Sequence, residues 1–123
     1  MAEVLLIVDA EYRKRRILRN LETLDMSIEV GNLHQPGNEA LVGSDTVGII
    51  LSAMLLEGYP NKVVGILTKA ASANIPVVVA SELPLGEDKN IWPIKVAVKA
   101  GIKFRVCEQG EEVSSLKNLL ANS

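Results

Sequence analysis

One cysteine, Cys107, is all the chain has, so no intrachain disulfide can close and no CxxC or Cys/His zinc cluster can form. A reducing cytoplasm is the expected compartment. One histidine, His34, and no GxGxxG leave little for acid–base chemistry or for a glycine cradle around a phosphate. Aromatic residues make up only 3% of the chain, which gives a stacked flavin few rings to lie against. The N-terminal apolar run "VLLIV" leads straight into Asp9 and is too short for a signal-peptide core or a membrane span. Cations are not in surplus: the net charge is -2, which disfavours nucleic acid as a partner, because counterion release rewards an excess of Lys and Arg.

What is present suffices for an ordinary core. With 48% hydrophobic residues in 123, one domain spanning residues 1–123 needs no metal or disulfide staple. Met1 lies close before the first expected strand and Ser123 just past the last expected helix, so a free-standing protein and a domain of a longer chain both fit. Continuous apolar runs at 4–8 ("VLLIV"), 47–51 ("VGIIL") and 77–80 ("VVVA") suit strands covered on both faces. Weaker strands are expected at 27–30 ("SIEV") and 103–107 ("KFRVC").

Helix-period segments separate them. Ile17, Leu18, Leu21 and Leu24 mark one helix, and Val63, Leu67 and Ala70 a second that Pro60 opens. Ile91, Ile94, Ala97 and Val98 mark another, stopped by Gly101, while Val113, Leu116 and Leu120 mark the last. A short helix is expected around "NEALVG". The expected class is therefore α/β, a three-layer flavodoxin-like (βα)5 sandwich on a five-stranded parallel sheet. In such a sheet, ligands collect at the carboxyl ends of the strands, which here carry Asp9, Ser52, Ser81 and Glu108.

The stretches "LLIVDAEYRKRRILRNLE", "NIPVVVAS" and "VKAGIKFRVCEQGEEVSSLKNLL" resemble the receiver domain of two-component response regulators, over nearly the whole chain. The resemblance implies the strand order 2-1-3-4-5. It also implies an acidic pair after the first strand, a phosphorylated Asp after the third, Ser or Thr after the fourth and Lys after the fifth. Here those positions hold Asp9 and Ala10, then Ser52, then Ser81, then Glu108, with Gln109 where the family usually has Pro. Three of the five differ from a working receiver.

Those departures are expected to silence phosphoryl transfer. The reaction needs an ionised nucleophile, Mg²⁺ and a cation to hold the product. An alcohol such as Ser52 stays protonated without a neighbouring base, and His34 could serve only if its loop folded over the crevice. Mg²⁺ asks for carboxylate oxygens, and with Ala10 and Ser52 in place Asp9 is left nearly by itself. Glu108 puts a carboxylate where a cation would sit; two carboxylates about 5 Å apart repel by about 3 kcal/mol at an effective dielectric near 20. The expectation is a degenerate member, a pseudo-receiver with no catalytic residue, no metal and no cofactor. The quieter alternatives are that Asp9 caps the first helix, that Ser52 and Ser81 satisfy backbone groups, and that Glu108 is a solvated loop acid.

In the family, output runs through the surface of the fourth helix, fifth strand and fifth helix. With Ile91, Ile94, Ala97 and Val98 facing the core, Trp92, Lys95, Val96 and Lys99 share the opposite face. Trp92 is either an interface anchor or a lid over the core. Arg105 stands where receivers usually place an aromatic switch residue and would join the same patch. The expected partner is a protein of a signalling pathway, with a homodimer as a further arrangement. A rival class is a flavodoxin-like small-molecule-binding or enzymatic domain using the crevice. The run "RKRRILR" gathers Arg13, Lys14, Arg15, Arg16 and Arg19, either a solvated helix face or a basic docking patch.

Overall fold

Parallel strands pair through their backbones, but a strand packed on both faces must be apolar along its whole length. The computed structural model describes residues 3–7, 11–22, 26–31, 42–43, 45–52, 55, 59–81, 99, 101, 104–108 and 111–121. Strands β1 (Glu3–Ile7), β2 (Ser27–Gly31), β3 (Thr46–Ser52), β4 (Val77–Ser81) and β5 (Phe104–Glu108) form a sheet in the order β2-β1-β3-β4-β5. Each neighbouring pair runs parallel. The described helices are α1 (Glu11–Leu21), α2 (Pro60–Ser72) and α3 (Glu112–Ala121). The expected parallel α/β architecture, with β1 between β2 and β3 and β4 beyond β3, is the one observed.

The central strands account for the apolar runs. Val4 to Ile7, Ile49 to Leu51 and Val77 to Val79 are all at most 1% exposed. Alternate residues feed two cores. Leu5, Ile7, Ile49, Leu51, Val77 and Val79 pack with Val63, Ile66, Leu67 and Ala70 of α2. On the other face Val4, Leu6, Ile50, Val78 and Cys107 pack with Ile17 and Leu21 of α1 and Leu116 of α3. Three layers result, with α2 on one side of the sheet and α1 and α3 on the other. Burial of each such Leu or Ile side chain contributes about 1.5–3 kcal/mol.

Two backbone features fix where the helices sit. Gly48 in β3 faces α3 so closely that a Cβ there would lie 2.8 Å from Leu116 Cδ1, and Leu116 is fully buried. Helix α2 starts on Pro60 with no side-chain cap from Tyr59, and ends in a Schellman motif. Asn74 takes the left-handed conformation at φ 59°, while Asn74 N–H donates to Ala71 O and Ile75 N–H to Ala70 O at 2.8 Å. Buried Ile75 then leads into β4.

Several boundaries differ from the sequence reading. Strands β3, β4 and β5 extend through Ser52, Ser81 and Glu108, because ladder pairing is a backbone property and does not stop at a polar side chain. Of the short helix expected around "NEALVG", only Val42 and Gly43 are described, and neither is helical. There Thr46 closes a turn: its N–H donates to Gly43 O, and its Oγ1 accepts from Gly43 N–H at 3.0 Å. The helix expected over 91–98 lies outside the described residues, as does Leu24. Among the described residues, no helix is long and apolar enough to cross a membrane.

The Gly48 contact predicts that Gly48→Ala lowers stability by about 1–3 kcal/mol through overpacking, read as a lower urea midpoint at unchanged m-value. At the α2 terminus, Asn74→Val is expected to cost about 1–2 kcal/mol and Asn74→Gly to stay within about 0.5 kcal/mol, since only the branched side chain resists positive φ. Equal midpoints for the two Asn74 variants would contradict the assigned conformation.

Candidate functional site

A strand buried on both faces can admit polar chemistry only where it leaves the sheet. Three adjacent strands do so on one edge. Ser52 ends β3, Ser81 ends β4 and Glu108 ends β5. Ser81 and Glu108 are direct register partners, while Ser52 pairs with Ala80, one step earlier, and Ala80 in turn with Cys107. At the usual spacing between strands, Ser81 and Glu108 stand about 5 Å apart, and Ser52 lies about 10 Å from the Glu108 strand. The register therefore brings Ser52, Ser81 and Glu108 to one end of the sheet. Glu108, expected as a loop acid, is a strand residue held by the β4 ladder.

Ser52 is 2% exposed. Strand alternation puts it on the Ile50 face, the side covered by α1 and α3, next to half-buried Ala80 on β4. Its position gives a small hydroxyl at the top of the core, where a polar group is tolerated only if hydrogen-bonded.

The other sequence-derived positions divide cleanly. Asp9 and Ala10 lie outside the described residues, as do Trp92, Lys95 and Val96. Lys99 is helical and exposed. Arg105 belongs to β5, in register with Val78.

One polar group escaped the sequence reading. Glu112, in the first turn of α3, is 1% exposed, and Asn20 of α1 donates its Nδ2–H to Glu112 Oε2 at 3.3 Å. Ser115, one turn on, is also buried. An acid in a first helical turn is favoured by the helix dipole, and here it also ties α3 to α1. The signal was in the spacing, since Glu112, Leu116 and Leu120 repeat every four residues on one stripe.

Comparison with known proteins places the fold. No protein-family model matches the chain, and no curated protein sequence matches it. Among solved structures, the crystal structure of a response regulator receiver protein from Pseudoalteromonas atlantica is similar, with a TM-score of 0.63 and 15% identity over 98% of both chains. The solution structure of a de novo designed Rossmann 2x3 fold protein has the same TM-score of 0.63, at 17% identity, covering 100% of this chain and 92% of the designed one. The chain thus has a receiver-like, Rossmann-type parallel α/β fold. A natural receiver and a designed protein fit it equally well, so the fold itself does not choose a function.

The burial of Ser52 makes a prediction about charge. A carboxyl there has its folded-state pKa raised above the unfolded value near 4, so its cost is absent below that value and complete above the raised one. Ser52→Asp is therefore expected to lose at least about 2 kcal/mol at pH 8 relative to wild type and clearly less at pH 4, by urea unfolding at both pH values. A penalty independent of pH would contradict a buried position.

Proposed function

We propose that the chain is a degenerate receiver, a signalling module that works by docking a protein partner and takes no phosphoryl group. The receiver-like fold supports the coarse part of this reading. One observation carries the finer part: the set Ser52, Ser81 and Glu108 at the carboxyl ends of three adjacent strands. The resemblance would put a phosphoacceptor Asp, a Ser or Thr and a Lys at those places.

Each exchange acts on a separate requirement of the chemistry. A buried hydroxyl at position 52 is neutral, so it is neither an ionised nucleophile nor the carboxylate that Mg²⁺ asks for. Ala10 removes the second acid of the usual pair, leaving Asp9. Glu108 brings negative charge beside Ser81, where an acyl phosphate would need a cation. The residues present do not fit a resident Mg²⁺, and the module is read as non-enzymatic.

Shape is then the remaining output. The docking face is assigned to Trp92, Lys95, Val96 and Lys99, which recur at helical spacing, together with Arg105 of β5. Exposed Lys99 and the edge position of β5 support that assignment. An aromatic anchor among cations suits a partner with an apolar pocket and an acidic rim. The setting is cytoplasmic signalling, and self-association through the same face is the alternative to a foreign partner.

Two measurements test this. Incubation with acetyl phosphate and Mg²⁺ is expected to leave the intact mass unchanged; a stable gain of about 80 Da, one phosphoryl group, at a strand-end residue would refute the reading. In pull-downs from native cytoplasm, Trp92→Ala is expected to reduce partner recovery about tenfold or more, as loss of a hot-spot aromatic does. Equal recovery removes the assigned face.

A further inference from the structure

We infer that the outer face of α1 is a second docking surface, fitted to a short acidic segment of a partner protein. This rests on the reading of the chain as a docking module and adds the chemistry of what is docked. Ile17 and Leu21, 1% and 2% exposed, turn the apolar side of α1 into the core. At 100° per residue, Arg15 and Arg19 fall on the opposite pole, and both are exposed. They are four residues apart, about 6 Å along the axis, with half-buried Lys14 and Arg16 on the flanks and exposed Glu22 beyond the last turn.

The surplus belongs to this helix and not to the protein. Residues 11–22 hold Arg13, Lys14, Arg15, Arg16 and Arg19 against Glu11 and Glu22, an excess of three positive charges; since the whole chain is -2, the remaining residues carry -5. Helix α3, packed against α1, carries Glu112 against Lys117, and with Glu111 just before it the two helical segments together keep a positive surplus. Lys14, Arg15 and Arg16 also make contacts within the fold, and the helix keeps its net sequence charge of +3.

Geometry selects the occupant. At physiological salt the screening length is about 8 Å, so a ligand lying on α1 feels the helix and little of the acidic remainder. The eleven residues of α1 span about 16 Å. A short acidic peptide fits within that length, and its carboxylates can take the forked hydrogen bonds that arginine offers. Duplex nucleic acid carries a charge about every 1.7 Å over a length well beyond α1, and the rest of the chain, at -5, has no cation surplus to match it. A bilayer would need apolar side chains to insert, and Ile17, Leu18 and Leu21 of α1 are spent on the core.

The test uses the full chain and a fluorescein-labelled decaglutamate, with binding read by anisotropy at low and physiological salt. Arg15→Glu/Arg19→Glu is expected to weaken binding at least about tenfold, with Arg15→Gln/Arg19→Gln intermediate and Lys69→Glu, an exposed charge change on α2, within about twofold of wild type. Unchanged urea midpoints show that the variants remain folded. The inference is overturned if wild type does not bind, if all variants bind alike, or if duplex DNA or phosphatidylserine vesicles bind more tightly than the peptide through the same arginines. Loss of peptide binding with Trp92-dependent capture intact removes this surface only; a phosphoryl adduct removes the degenerate-receiver reading while leaving this surface standing.

Discussion

Burial of the central strands on both faces governs nearly everything else in this molecule. Because β1, β3 and β4 are sealed between α2 on one side and α1 and α3 on the other, neither face offers room for a polar side chain along their middle stretches. Chemistry is pushed to the strand ends, and there the residue types decide what is possible. At those ends this chain carries Ser52, Ser81 and Glu108. Buried Ser52 shows that packing still constrains that edge.

On the side of the sheet under α1 and α3, two contacts set the packing. Gly48 leaves room for Leu116, and Asn20 reaches Glu112, so one contact sets how near α3 comes to the sheet and the other how α3 meets α1. Arg15 and Arg19 of α1 are exposed, on the pole of the helix opposite buried Ile17 and Leu21. Packing and charge thus occupy opposite sides of one helix, which allows charge to vary on the outside without disturbing the seat beneath.

Much of this was legible in the sequence where the physics is local. "VVVA" announced a strand covered twice, and the Ile17, Leu21 and Val63, Leu67, Ala70 spacings gave the inner faces of two helices. Strand ends were harder. Pattern reading stops a strand at its last apolar residue, whereas ladder bonds carry β4 on to Ser81 and β5 to Glu108. Glu112 was missed because a charge is counted as exposed until its partner is known, and Asn20 is 92 residues away. The pairing of Ser81 with Glu108 is equally non-local; the resemblance to receivers named both positions, but their register had to come from the sheet. Asn74 was silent for another reason, since its role depends on a single dihedral angle.

Strand β2 closes one margin of the sheet with five residues, of which Glu29 and Val30 are exposed. Among the described residues β2 has no strand on its outer side, and an edge of this kind can take on a second chain, to which Val30, at 46% exposure, would add apolar contact. Two copies meeting there in antiparallel fashion about Glu29 would set its carboxylates face to face in the growing ribbon, and like charges directly opposite one another are unfavourable. The strand is also too brief to offer many new backbone bonds in return. Charge repulsion at Glu29 thus opposes antiparallel self-pairing centred on that strand.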